Sequence, residues 1–317
     1  MSKGKYRGVS NVVSIGAMII FLIVGLIAGY YIGASTTATP QELLEDSAWR
    51  TSKITLSGST TVLPIANACA IAFMNKYNAT TITVQGGGSG VGYSNVIDGV
   101  VDIGMASREP KKTEIDNARN KSVDLWLHPI ALDAVCVVVH PSVSSSLNLT
   151  LQEVGKIFAG IYTYWDEVRP GLPHKEIVVV VREPGSGTRG TFEEYTMQPW
   201  KYNVTAKASV QPSNPAVRNK VETTPYSIGY VSYGFLSQQM VPVALAKEYG
   251  KPYVYPTIES IASGEFPISR YLYFVTNGQP PSGSLADRFI DFVKSSEGQR
   301  IVEECGYLML PYLYPRL

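Results

Sequence analysis

Three loops rich in glycine, serine and threonine carry the clearest chemical signal in this sequence. They read SGSTT (Ser57–Thr61), GGGSG (Gly86–Gly90) and GSGT (Gly185–Thr188), and each stands between a strand-like and a helix-like segment. The first N–H groups of a helix lack intrahelical partners and carry the positive end of its dipole, so an anion there accepts several hydrogen bonds. One such loop is common as a plain turn, but three at the same kind of junction predict an anion-binding site.

Two arginines strengthen this prediction. Arg182 ends the strand-like run EIVVVV beside the third loop, and Arg108 follows the run DIGMAS. Ligands of open α/β sheets bind at the carboxyl ends of strands, and a guanidinium can pair with an oxyanion through two hydrogen bonds. The alternative for each arginine is a surface ion pair, for example with Glu109 or Glu183. None of the loops fits the pattern GxxxxGK[ST], so a nucleotide site has no specific support.

Other chemistry has little support. The net charge of +1 lacks the basic footprint of a nucleic-acid binder. The sequence has no CxxC, no metal-ligand spacing of histidines and no Ser-His-Asp or Cys-His pattern, so we expect no metal, cofactor or catalytic residues. If the protein were an enzyme and not a binding protein, an exported phosphatase would be the alternative function. Cys69, Cys136 and Cys305 lie in apolar stretches and are expected to be buried thiols, with a Cys69–Cys305 disulfide as the alternative.

The elements that position these loops alternate between strand-like and helix-like segments. This alternation indicates an α/β protein with helices on both faces of its sheets. The 317 residues suffice for a short leader and either one large domain or two lobes. The predicted strands are KITLS, TITVQ, VDIGMAS, IALDAVCVVVH, EIVVVV and SIGYVSY; the predicted helices are LPIANACAIAFMNKY, Val91–Asp98, the segment opened by GSGTRGTFEEY, and one or two helices in LADRFIDFVKSSEGQRIVEECG.

The N-terminus has the features of an export segment. Basic residues within 1–11 precede an uncharged apolar run at 12–32, which as a helix would be about as long as a bilayer core is thick. The basic flank predicts a cytoplasmic N-terminus and an exported remainder. A transmembrane anchor is the favoured interpretation and a cleaved signal peptide the alternative. Residues 33–52 are interpreted as a spacer.

The loops also resemble a known family. The segments SGSTTVLPIA, QGGGSG, VDIGMASRE, VVREPGSGTRGTFEEY and SIGYVSYGFL occur in the order found in the PstS-like phosphate-binding proteins of phosphate ABC transporters. The resemblance implies a two-lobed periplasmic-binding-protein ("Venus flytrap") fold with the anion in the cleft. It also implies crossings between the lobes, which we place near Asp133–Val139 and Tyr230–Phe235. The first lobe would then combine residues 53–133 with 237–317, and residues 134–236 would form the second.

The resemblance also implies a set of ligand residues, to which Arg108 is added for its position at a strand end. Some members have an acidic residue after the strand that corresponds to DIGMAS, where this sequence has Ser107-Arg108-Glu109, and that carboxylate accepts the proton of phosphate. Glu109, Asp133 or Glu183 could replace it here. The predicted ligand residues are Ser59, Thr60, Thr61, Ser89, Arg108, Arg182, Ser186, Gly187 and Thr188.

The expected function is extracellular capture of inorganic phosphate and its delivery to the permease subunits of an ABC transporter. Sulfate, molybdate or tungstate is the alternative ligand, because the family's acidic residue is missing. A membrane-anchored phosphate sensor is the alternative role.

Overall fold

The computed structural model describes residues 49–78 and 80–310, and those from Arg50 onward belong to one compact unit. The predicted segments 1–11 and 12–32 lie outside the described residues, as does most of the spacer 33–52. Among the described residues, no helix combines the length and the apolar character that a membrane crossing requires.

Strands and helices alternate along the described chain. The strands are β1 (Lys53–Gly58), β2 (Thr81–Gly86), β3 (Ile103–Ala106), β4 (Leu125–Val139), β5 (Asn148–Thr150), β6 (Val178–Arg182), β7 (Ser209–Gln211), β8 (Ser227–Ser232), β9 (Val241–Pro242), β10 (Ala244–Ala246) and β11 (Ser269–Asn277). The α-helices are α1 (Leu63–Lys76), α2 (Ser89–Ile97), α3 (Lys112–Asn120), α4 (Leu151–Phe158), α5 (Trp165–Val168), α6 (Gly187–Thr196), α7 (Asn214–Thr223), α8 (Ile258–Ala262), α9 (Leu285–Lys294) and α10 (Ser296–Glu304). Short 3-10 turns cover Trp49–Thr51, Gln198–Trp200 and Tyr233–Phe235.

The strand β4 links two halves of the main sheet, whose order is β2-β1-β3-β11-β4-β8-β6-β7. Its residues Leu125–Ala134 pair antiparallel with β11, and its residues Val135–Val139 pair antiparallel with β8. We call β1, β2, β3 and β11 with their helices the first lobe, and β5 to β10 with their helices the second lobe. The change of partner falls inside the segment Asp133–Val139, where a crossing is predicted.

Within each lobe the strands that carry the loops run parallel. β1 pairs with β2 and β3 in the first lobe, and β6 pairs with β7 and β8 in the second. The carboxyl ends of parallel neighbours lie at one edge, so the loops that follow β1 and β2 share an edge of the first lobe. The predicted strands and helices that we derived from sequence patterns are confirmed as elements, with small shifts at their ends.

The predicted boundary at residue 237 is wrong. β9 pairs with the end of β4, and β10 pairs with β5, so 241–246 belong to the second lobe. Ile261, Phe266 and Ile268 then pack into the core that surrounds Phe158. The chain returns to the first lobe at Ser269, where β11 begins, and not at Tyr230–Phe235. The strands concerned are two and three residues long, too short to leave a pattern in the sequence.

Candidate anion-binding site

Three helices begin at the three loops. α1 begins at Leu63, just after the first loop, whereas α2 begins at Ser89 and α6 at Gly187, inside the second and third loops. Gly88 precedes α2 with φ 90°, a left-handed conformation that glycine adopts without strain. The first N–H groups of a helix lack intrahelical acceptors, but before α1 the N–H groups of Thr61, Val62 and Leu63 are already bonded to Ser59.

Two serines organise the entries into these helices. Ser59 Oγ accepts from the backbone N–H groups of Thr61 at 3.2 Å and Val62 at 3.4 Å. Ser186 is the N-cap of α6, and its Oγ accepts from the N–H of Arg189 at 3.2 Å. The serine oxygens thus serve the backbone, and their hydroxyl hydrogens remain as donors.

The loops of the two lobes meet. Thr61 Oγ1 of the first lobe lies 3.0 Å from Thr188 Oγ1 of the second. Gly187 lies so close to the first lobe that a Cβ atom there would be 2.1 Å from Ser89 Oγ and 2.4 Å from Ser107 Oγ. The first lobe's two loops and the second lobe's loop therefore converge on one region. The predicted loop residues buried there are Ser59, Thr61, Ser89, Ser186, Gly187 and Thr188.

The Thr60 hydroxyl lacks a hydrogen-bond partner. Its Oγ1 is buried and contacts no donor or acceptor among the described residues. A buried hydroxyl without a partner costs about 1–3 kcal/mol. Because this hydroxyl lies in the loop before α1, near the positive end of the helix dipole, an anion is a partner of suitable chemistry.

Arg182 lies at the end of β6 and is almost fully buried, with 1% of its side chain exposed. Its Nε donates to Glu183 Oε2 at 2.9 Å and its Nη2 to Glu183 Oε1 at 2.7 Å. Nη2 also approaches the Pro212 carbonyl at 3.5 Å. These bonds fix the plane of the guanidinium and leave the hydrogens of Nη1 for another acceptor. The predicted surface ion pair with Glu183 is therefore present, but on a buried arginine.

Arg108 bonds residues outside the three loops. Its Nη1 and Nη2 donate to the two carboxylate oxygens of Glu114 at 2.7 Å each, and Nη1 also donates to the Glu109 carbonyl at 2.8 Å. The guanidinium lies 5.3 Å from the centroid of the Tyr93 ring. The partner in the ion pair is thus Glu114 on α3 and neither Glu109 nor Glu183. Six residues separate Arg108 from Glu114, and only the turn into α3 brings them together.

An ion pair that the sequence analysis did not identify supports Thr188. Arg270 Nε donates to Asp133 Oδ2 at 2.9 Å, Nη2 lies 2.8 Å from the same oxygen in an ion pair, and Nη2 donates to Thr188 Oγ1 at 3.1 Å. Asp133 Oδ1 accepts from Ser232 Oγ at 2.7 Å and from the Tyr233 N–H at 3.1 Å. Asp133 is fully buried, and its carboxylate, with three hydrogen bonds and this ion-pair contact, has little capacity for more.

Asn214 is a second residue that the sequence analysis missed. It is the first residue of α7, whose N-cap Ser213 accepts from the Ala216 N–H at 3.2 Å. Its Nδ2 donates to Thr61 Oγ1 at 2.7 Å, and its Oδ1 accepts from the Ser232 N–H at 3.3 Å. A fourth helix start, from the second lobe, therefore contacts the loop before α1.

The missed contacts left weak signals. Asp133 and Arg270 are single charges inside the apolar runs IALDAVCVVV and SRYLYFV, and a lone charge in a buried strand needs a partner. Asn214 follows a serine and precedes a proline, the pattern of a helix start. Nothing in the sequence shows that these positions meet the loops.

The three candidate carboxylates occupy different surroundings. Glu109 is exposed and lines a cavity of about 570 Å³ that also contacts Lys111 and Arg270. Asp133 is saturated with donors. Glu183 Oε1 would lie 3.4 Å from a Cβ atom at Gly88, so this carboxylate borders the second loop as well as Arg182.

The part of the chain that the structure describes contains neither a group of side chains that could hold a metal ion nor a disulfide. No three His, Cys, Asp or Glu side chains there are grouped to hold a metal ion. The three cysteines carry free thiols, so the Cys69–Cys305 disulfide, which was the alternative to buried thiols, is not formed. Burial, with a smaller contribution from Cys305, raises the pKa of the Cys69 thiol to about 12, so this thiol stays protonated and unreactive at neutral pH.

The sequence matches one family across most of its length. The PBP superfamily domain matches residues 35–297. The chain is 32% identical over 256 residues to the phosphate-binding protein PstS of Bacillus subtilis, covering 80% of each chain. It is 27% identical over 308 residues to PstS of Pseudomonas aeruginosa, covering 93% of this chain and 94% of the relative.

Solved structures agree with this match. A candidate phosphate ABC transporter substrate-binding protein of Clostridium perfringens, crystallised with bound phosphate, superposes with a TM-score of 0.71 at 30% identity, covering 81% of this chain and 99% of the other. An ABC-type phosphate transport receptor of Vibrio cholerae gives a TM-score of 0.66 at 29% identity and covers 81% and 100%. The predicted two-lobed α/β fold is confirmed. The chain therefore belongs to the PBP superfamily and, within it, to the family of the PstS phosphate-binding proteins.

Proposed function

We propose that this chain binds inorganic phosphate between its two lobes and delivers it to the permease of an ABC transporter. The observation that carries the proposal is the meeting of helix starts from both lobes around buried hydroxyls, with the unpartnered Thr60 Oγ1 and the buried Arg182 among them. Such a site supplies donors and positive dipole ends, which suit a small oxyanion.

The relatives support the choice of anion. Those from Bacillus and Pseudomonas are named phosphate-binding proteins, and the Clostridium structure contains bound phosphate. We propose a binding protein and not an enzyme, because the loop hydroxyls serve as hydrogen-bond donors and the family members are named for binding. Contacts with both lobes would make the anion favour the closed arrangement.

The proposed ligand residues come from both lobes. The set omits Arg108, because its two terminal nitrogens are already bonded to Glu114. It consists of Ser59, Thr60, Thr61 and Ser89 from the first lobe and Arg182, Ser186, Gly187 and Thr188 from the second.

We propose Glu183 as the group that accepts the proton of phosphate. Asp133 is saturated and Glu109 is exposed, whereas Glu183 borders the second loop and uses only one lone pair on each oxygen to bind Arg182. Phosphate keeps a proton near neutral pH and sulfate has none. A carboxylate therefore bonds the first anion and repels the second.

The proposal is tested by calorimetric titration of the full-length chain in mild detergent with phosphate, sulfate and molybdate. We expect phosphate to bind at least about 100-fold more tightly than sulfate, because the carboxylate is left unpaired by sulfate. Equal affinities for the two anions would refute phosphate specificity. Tighter binding of molybdate would assign the site to another oxyanion.

We also propose that the site lies on the extracellular side of the membrane and that residues 12–32 anchor the chain. The basic start and the uncharged apolar run support this. Fractionation of expressing cells should recover the full-length chain with the membranes. A soluble external form that begins near Ser35 would show that the segment is a cleaved signal, and a cytosolic full-length pool would contradict export.

A further inference from the structure

Two threonine hydroxyls form one of the contacts between the lobes at the candidate site. Thr61 precedes α1 of the first lobe and Thr188 lies in the first turn of α6 of the second lobe, with their oxygens 3.0 Å apart. Each oxygen has a further partner from elsewhere in the fold. Those partners determine which way the hydroxyl hydrogens can point.

Arg270 fixes the role of the Thr188 oxygen. A guanidinium has donors only, so the 3.1 Å bond from Arg270 Nη2 makes Thr188 Oγ1 an acceptor. Asp133 Oδ2 holds Arg270 in place through one hydrogen bond from Nε and an ion-pair contact with Nη2, and this carboxylate is fully buried. The direction of the bond is therefore set by the pair of buried charges.

Asn214 fixes the role of the Thr61 oxygen. The two ends of an amide side chain are told apart by their partners. Asn214 Oδ1 faces the N–H of Ser232, a donor that needs an acceptor, so Nδ2 is the end that faces Thr61 Oγ1 at 2.7 Å. Thr61 Oγ1 is consequently an acceptor as well.

Counting the donors and acceptors of the two threonines shows how many hydroxyl hydrogens remain for a ligand. Two hydroxyls carry two hydrogens, both oxygens accept from outside the pair, and the 3.0 Å contact between Thr61 and Thr188 uses one hydrogen. One hydrogen is left over, and it can belong to either threonine. The pair is thus a single donor that two residues share.

We propose that Asn214 and Arg270 are positioning residues that aim this one shared hydroxyl hydrogen at the bound anion. This inference rests on the proposed function, because it takes phosphate as the ligand of Thr61 and Thr188. Three of the bonds join the lobes: the contact between the two threonines, Asn214 to Thr61, and Arg270 to Thr188. The same network therefore couples donor orientation to the closed arrangement of the lobes.

The first test is Asn214→Asp, which keeps the shape of the side chain. One carboxylate oxygen can still accept from Ser232, but the other now accepts the hydrogen of Thr61 and brings a negative charge toward the anion. We expect phosphate affinity at pH 7.5 to fall by about 100-fold or more. The matched control is Asn219→Asp, the same change at an exposed position on α7, which should stay within about twofold of the parent.

A pH series separates positioning from mere damage to the fold. A protonated carboxyl can donate to Thr61 as the amide does, so the affinity of Asn214→Asp relative to the parent should recover by about tenfold or more between pH 7.5 and pH 5. Comparison with the parent at each pH cancels the titration of phosphate itself. A constant ratio across this range would contradict the inference.

The second test is a double-mutant cycle on the full-length chain with Thr61→Val and Thr188→Val. Either single variant retains one hydroxyl hydrogen for the anion, so each should lose less than about tenfold in affinity, and the double variant should lose much more than the product of the two losses. Multiplicative losses would show two independent donors and overturn the inference. This cycle decides the question if Asn214→Asp does not fold.

The outcomes distinguish the two proposals. If the parent binds no phosphate, the proposed function and the inference both fail. If the parent binds phosphate and Asn214→Asp stays within about threefold of it at pH 7.5, only the inference fails.

Discussion

Replacing Arg182 by alanine removes the buried guanidinium beside the third loop. In the structure this group is 1% exposed and bonds Glu183 at 2.9 and 2.7 Å. The substitution therefore has two effects on a bound anion. It deletes a charged donor, and it leaves the Glu183 carboxylate without its partner at the edge of the site.

The expected loss follows from both effects. Removing one charged partner of a buried pair costs about 2–5 kcal/mol, which at about 1.4 kcal/mol per tenfold is about 30-fold to 4,000-fold in affinity. The unpaired Glu183 carboxylate also repels the anion: two like charges about 5 Å apart repel by about 3 kcal/mol at an effective dielectric constant of about 20, less whatever solvent screens. Because Glu183 is 27% exposed, screening is partial, and we expect a loss toward the upper end of that range.

A double variant separates the two effects. Arg182→Ala combined with Glu183→Gln removes the guanidinium but also the stranded charge, so it should bind phosphate at least about tenfold more tightly than Arg182→Ala alone. Arg182→Lys should also bind poorly, because an ammonium cannot bond Glu183 and an anion in the planar geometry of a guanidinium.

The assay is isothermal titration calorimetry of the full-length chain with phosphate at fixed ionic strength. The control is Arg218→Ala, which removes an arginine that is 43% exposed and pairs with Glu222 on α7. This control should bind as the parent does. Phosphate affinity of Arg182→Ala within about twofold of the parent would refute the placement of the site.

Three further predictions concern specificity, closure and pH. Glu183→Gln should narrow the affinity gap between phosphate and sulfate by about tenfold or more in the same titrations. Asp133→Asn should lower the melting temperature without narrowing that gap, because the Asp133 carboxylate is fully occupied by donors of the protein. Gly187→Ala should weaken phosphate binding by about 100-fold or more, since its Cβ would lie 2.1 Å from Ser89 Oγ and hold the lobes apart; an unchanged dissociation constant would contradict the closed geometry. Burial, with a smaller effect from a nearby lysine, lowers the pKa of His128 from 6.5 to about 4, so the neutral ring contributes stability that is complete above pH 6.5 and is lost as the pH falls toward 4, by at most about 3 kcal/mol. Chemical denaturation at pH 7 and pH 4.5 should show a smaller pH effect in His128→Gln than in the parent, and equal pH effects would contradict this assignment.

Local sequence patterns predicted the three candidate loops, because the residues of each loop are contiguous in the sequence. Glycine and hydroxyl residues directly before an amphipathic segment identify a helix start, and a helix start offers donors whatever the rest of the fold does. The loops could be identified for this reason, whereas the individual residues Ser59, Ser89 and Ser186 were named from the resemblance to phosphate-binding proteins. The order of strands could not be derived in the same way, because β11 pairs with β3 and β4 from more than a hundred residues along the chain.

The sequence by itself determined the class of fold, the three loops and the chemistry that they offer to an anion. Only the tertiary structure decided which side chains reach them. In the structure Arg108 pairs with Glu114, Arg270 and Asn214 bond the hydroxyls of Thr188 and Thr61, and residues 241–268 belong to the second lobe. The physical reason is the distance along the chain over which each feature is determined. Helix starts depend on neighbouring residues, whereas a charged or amide side chain finds its partner on whichever strand or helix the fold packs against it.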